Sequence, residues 1–177
     1  MSSQEHSPIH RYFAGLAENT FQIRLGVVDP PLIVYLTDLL VRFVRNDAMH
    51  RIRSVTGRPL LSIGEMALEA KERWGDARRE LHRHIGDFTL FWAGIYPEAL
   101  RRHSDGTEHF EEYCHTGKRS YHIASLIETS SSDAPESWVL QSLSDRFELC
   151  AYGLREVRRE WEEGDDETFG PGAILLN

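Results

Sequence analysis

Cysteine is scarce. The 177 residues hold two, Cys114 and Cys150, too far apart for a zinc knuckle or a CxxC redox pair. Both fall on the apolar side of a helical pattern, so reduced core thiols are expected rather than a disulfide. Positive charge is also short: 20 Lys and Arg face 28 Asp and Glu, and the formal net charge is −8. Nucleic acid and anionic membranes attract proteins through a positive field, so neither is an expected partner. No apolar run is long enough to cross a bilayer, and the greasiest, at 32–44, is broken by Asp38 and Arg42. The opening MSSQEHSPIH lacks the basic and apolar regions of a secretory signal, so a cytoplasmic location is expected. GxSxG, a Walker loop, GxGxxG after a strand and HExxH are all missing, which counts against common hydrolases and nucleotide enzymes. No internal repeat or strand alternation stands out.

What is present is helix punctuation. Ser7-Pro8 reads as an N-cap and first helical position, with Ile9, Tyr12, Phe13, Leu16 and Ala17 following at helical spacing to about Gln22. A short apolar connector at 23–28 leads to Asp29-Pro30-Pro31, which starts a second helix. Its positions Leu32, Tyr35, Leu36, Leu39, Leu40 and Phe43 share a face, and Ile33, Val41 and Val44 add a second greasy side, the mark of a central helix. A loop is expected over 46–60. Ser62 and Glu65 then have the offset of a capping box. From them one long helix is expected over 62–96, with its seam at Ala67, Ala70, Trp74, Ala77, Leu81, His84 or Ile85, Phe88, Trp92 and Ile95, stopped or kinked by Pro97. Thr107 reads as the next N-cap, before the stripe Phe110, Tyr113, Cys114, Gly117, Tyr121 and Ala124. After a polar linker at 130–133, Leu140, Leu143, Phe147, Cys150, Leu154, Val157 and Trp161 predict one last helix. The class is all-α, a single-domain helical bundle of about five main helices. Its core lies within 7–161, and 162–177 form an acidic tail ending in the apolar stretch AILL.

The chemistry-bearing residues concentrate in HIGDFTLFWAGIYPEAL, 84–100. On a helical wheel His84 lies within the apolar seam and Asp87 at its edge, so both turn inward. Three residues apart, they are placed to bond each other, or Asp87 to pair with a neighbouring helix. The first reading is a satisfied buried polar contact that fixes helix register. The sharper one is a histidine oriented by its aspartate for catalysis or ligation. Gly86, Gly94 and Gly117 would admit a crossing helix or, alternatively, a flat cofactor such as haem, although no CxxCH attachment pattern is present. Glu112 and His115 form Glu-x-x-His, half of a carboxylate-bridged di-iron signature without a second copy; with His122 they compose an alternative mononuclear metal site. Between 42 and 58 there are five arginines against one aspartate, while 156–167 is strongly acidic, two faces of opposite charge.

Tyr12-Phe13, Tyr35-Leu36 with Leu39-Leu40, GDFTLFWAGIYPEAL, and Tyr113 with GKRSY at 117–121 resemble a group of bacterial all-helical proteins that share a GDxxLFxxGxxP core. The resemblance implies one intact helical domain and a bacterial source, and it brings no activity or catalytic residue with it. The functional expectation is therefore a non-enzymatic protein-interaction or regulatory module, acting on a protein partner or on a second copy as a homodimer. Trp92 and Tyr96 are its candidate contact residues, and no cofactor is expected. The alternative is a bundle holding a metal ion, haem or small ligand through inward His, Asp and Glu.

Overall fold

Ser7 starts the first helix as its sequence demands: its hydroxyl accepts from the His10 amide, and Pro8 takes the first helical position, where a missing N–H costs nothing. The computed structural model describes residues 7–45, 62–101 and 107–164, with the side chains of 101 and 107–109 outside that description. Helix α1, Pro8–Ala17, passes without a break into a π-helical stretch, Glu18–Arg24. The chain then turns at Gly26, whose φ of 66° suits a residue without a β-carbon. Asp29 caps α2, Pro30–Val44, by accepting from the Leu32 amide. Leu36, Leu39 and Leu40 are fully buried, and Ile33 and Val41 nearly so, in line with the two greasy sides read from the sequence.

Ser62 caps α3, Ile63–Lys71, through the Glu65 amide. The single long helix expected over 62–96 is two helices. α3 ends at Lys71, and α4, Gly75–Ile95, begins after a short break in which Gly75 takes a φ of 54°. The break changes the buried phase: Met66 and Ala70 face the core in α3, while Trp74 is 78% exposed and Ala77 lies in solvent, against their expected seam positions. Helix α5, Pro97–Arg101, starts at Pro97 as a single short turn, and α6 runs Thr107–Leu126. The last helix is also two. α7, Ser137–Asp145, is separated from α8, Phe147–Gly164, at Arg146, whose φ of −114° and ψ of 26° leave the helical region.

The described residues thus hold eight α-helices and no strand, so the class is all-α and the count of about five was low by two such breaks and a short α5. α4 runs through the middle, packed along α6 and α8 and touching α2 and α3. Buried apolar side chains from α1 to α8 join in one cluster, which includes both cysteines, free and buried. The loop at 46–60, the arginines at 51, 53 and 58, the turn before Thr107 and the tail beyond 164 lie outside the described residues. The acidic stretch is met within the described part by arginines. Arg24 from the π-helical stretch pairs with both Glu156 and Glu160, and Arg158 and Arg159 pair with Glu162 and Glu163. No helix among the described residues is long and apolar enough to cross a membrane.

Candidate functional site

Asp87 is fully buried in the middle of α4. An isolated carboxylate there would be costly, so its neighbours decide what it is. Tyr35, from α2, donates its hydroxyl to Oδ1 at 2.5 Å, and Tyr121, from α6, donates to the same oxygen at 2.8 Å. Arg42, one helical span beyond Tyr35, brings Nη2 to 3.1 Å from Oδ2, an ion pair without the alignment of a hydrogen bond. The Tyr35 and Tyr121 rings meet edge to face at 6.4 Å, and the Arg42 guanidinium lies 5.9 Å from the Tyr35 ring centroid. Three helices, α2, α4 and α6, thus converge on one carboxylate.

The electrostatics follow from this geometry. Burial alone pushes the Asp87 carboxyl up, but the Arg42 and Arg83 guanidiniums and the two phenolic hydrogen bonds outweigh it and hold the group below the usual carboxylate range. Burial and the Asp87 charge push both phenols well above 10, so neither tyrosine is a proton donor to solvent chemistry near neutral pH. The carboxylate stays ionised and the phenols stay protonated, a static arrangement. Asp87 thus pairs across to the neighbouring helices α2 and α6.

Gly86 explains how Tyr121 gets there. A β-carbon at Gly86 would lie 2.7 Å from the Tyr121 ring. One at Gly94 would lie 2.7 Å from the Leu154 β-carbon, and one at Gly117 would collide with the Phe147 ring and the Thr89 hydroxyl. The space at each glycine is filled by a side chain of this chain, so these are close helix contacts. Gly153 plays the same part against Phe21 and was not legible as such.

His84 is 7% exposed and belongs to a row of rings: it stacks on Phe43 at 6.2 Å and tilts against Phe88 at 6.4 Å, and Phe43 stacks on Phe91 at 4.8 Å. Trp92 and Tyr96 continue the row, half-buried, with ring centroids 5.6 Å apart. Tyr96 lies under the Arg158 guanidinium at 5.0 Å, and Arg158 also donates to the Ile95 carbonyl at 2.5 Å.

The three residues of the metal alternative do not converge. Glu112, His115 and His122 are exposed on the outer side of α6, and His122 Nδ1 is 2.9 Å from Gln141 Oε1. Among the described residues no group of three His, Cys, Asp or Glu is placed to hold a metal ion. His115 and His122 do line an open cleft of about 590 Å³ between α6 and the start of α8, with Phe110 and Cys114 as its apolar floor; Glu112 is not part of it. Burial pushes the Cys114 thiol up to about 11 and the Cys150 thiol to about 12, so neither is an activated nucleophile.

Two polar residues escaped the sequence reading. Arg79, 1% exposed, donates from Nε to the Ile127 carbonyl at 3.1 Å and from Nη2 to the Pro135 carbonyl at 2.6 Å, closing the carboxyl end of α6. His82, 8% exposed, has a buried Nδ1 with no hydrogen-bond partner. Burial, with the Arg78 and Arg119 charges, lowers its pKa to about 4. Against known protein families, curated proteins and solved structures, the chain finds no match.

Proposed function

We propose that this chain is a non-enzymatic helical module whose outer faces engage a protein partner or a second copy of itself. The observation that carries the reading is the Asp87 carboxylate, whose neighbours from α2 and α6 occupy both oxygens with groups locked in one protonation state. The residues that most invited a catalytic or ligand-binding reading are used to hold helices together. The aromatic row around His84 supports the same view, because its rings pack on one another at 4.8 to 6.4 Å.

Large apolar groups stand in solvent on several elements: Trp74 is 78% exposed, Trp138 53% and Tyr152 48%. Exposed tryptophan and tyrosine are the side chains most enriched where protein partners meet. Metal analysis and an absorption spectrum of protein purified without an affinity tag test the reading. Substoichiometric metal and no absorption beyond the aromatic band are expected. Stoichiometric iron or zinc, or a haem band lost on replacing His84, would replace it with the ligand-binding account.

A further inference from the structure

The cleft between α6 and the start of α8 combines an apolar floor with an unpaired cation, and the two lie in line along α6. Its volume of about 590 Å³ falls within the ~300–1,000 Å³ of small-molecule sites. Phe110 and Cys114, four residues apart, lay the floor along one row of the helix. Arg119 lines the same cleft further on, about 13.5 Å from Phe110 along the axis at 1.5 Å per residue.

The polar groups of the wall differ in whether they are already used. Lys118 bonds both Glu148 oxygens at 2.9 and 3.1 Å, so these two charges balance each other. Ser144 donates to the Lys118 carbonyl at 2.8 Å, and His122 Nδ1 is 2.9 Å from Gln141 Oε1. Arg119, by contrast, is exposed and forms no ion pair or side-chain hydrogen bond among the described residues, and the same holds for His115, one turn before it. Their spacing sets them side by side on α6. A guanidinium offers a planar fork of N–H donors that matches a carboxylate, and an adjacent imidazole adds a further N–H. Glu111 stands at the other end of the row, beside Phe110, where a second negative group would be repelled. One end of the cleft thus suits an anion, and the floor beyond it suits an uncharged apolar chain.

We propose that this cleft binds a medium-chain monocarboxylate, its carboxylate on Arg119 and His115 and its aliphatic chain over Cys114 and Phe110. Such binding goes beyond the proposed function and does not depend on it, since it holds whether or not the outer faces meet a protein partner.

The test is titration of the folded full-length chain with octanoate, followed in amide NMR spectra. Saturable shifts are expected at residues 110–122 and 144–148, which border the cleft. Arg119→Gln is expected to raise the Kd about tenfold through the loss of a charge-assisted contact. Because Arg119 is exposed, the variant keeps the fold, and an unchanged spectrum away from the cleft checks this. Octanol lacks the charge, octanedioate adds a second negative group over the floor, and acetate lacks the chain. Each is expected to bind at least about tenfold more weakly than octanoate. Absence of saturable shifts at the cleft overturns the proposal, as does an unchanged Kd in Arg119→Gln. Any of the three comparison compounds matching octanoate also overturns it: octanol would reveal a merely greasy surface, acetate a bare anion contact, and octanedioate a chain that does not lie over Phe110.

Discussion

His82 and Asp87 lie on the same helix and titrate in separate windows, which makes the acid response of this protein legible residue by residue. For His82 the folded pKa, about 4, is below the unfolded value of about 6.5, so the unfolded chain binds the proton more readily. Stability from keeping this imidazole neutral is complete above about 6.5 and is lost as pH falls toward 4; between pH 7 and 5 the loss is about 2 kcal/mol. Asp87 acts lower. Its carboxyl is held below the usual range, so its contribution is present above about 3.9 and disappears only as pH falls through the depressed folded value. Urea unfolding from pH 7 to 5 should therefore show a decline that flattens in His82→Gln. A His82→Gln profile parallel to that of the unmodified chain would show that another group sets this window.

Among the elements, the glycines divide into two classes that one substitution separates. Gly117→Ala places a methyl against Phe147 and Thr89 across the contact between α6 and its neighbours, and should cost about 1–3 kcal/mol as an overpacked site. Gly15→Ala, in exposed α1 with nothing within 4 Å, should gain about 0.5–1 kcal/mol of stability through helix propensity. Thermal melts of the two variants should move in opposite directions, and a neutral Gly117→Ala would contradict the close packing. How much of this was written in the sequence depends on how local the cause is. The caps at Ser7, Asp29 and Ser62 were legible because cap, proline and first turn lie within a few residues of one another. The break before α4 was hidden because Ala67, Ala70, Trp74 and Ala77 keep a helical rhythm across it, and only Gly75 marked the change of phase. The π-helical stretch left no mark, since its wider turn draws on the same residue types. Arg79 was hidden for another reason: a charged residue is normally expected in water, and its carbonyl partners, Ile127 just past α6 and Pro135 just before α7, lie 48 and 56 residues away in sequence.

At the scale of the whole molecule, one carboxylate organises the encounter of α2, α4 and α6. The wheel placed Asp87 at the inward edge of its helix, yet its partners, 52 and 34 residues away in sequence, could be known only once the helices were assembled. Each supplies what the others lack: Gly86 makes room, Tyr121 and Tyr35 donate, and Arg42 balances the charge. Because the group is buried, removing its charge weakens the acceptor of two buried phenols and leaves the Arg42 guanidinium without its counter-charge. The direct test is equilibrium denaturation of Asp87→Asn at pH 7 alongside the unmodified chain. The substitution keeps the shape and one oxygen acceptor but removes the charge that holds Arg42, and a loss of about 3 kcal/mol or more is predicted. Stability within about 0.5 kcal/mol of the unmodified chain would show that the carboxylate does not hold the three helices together.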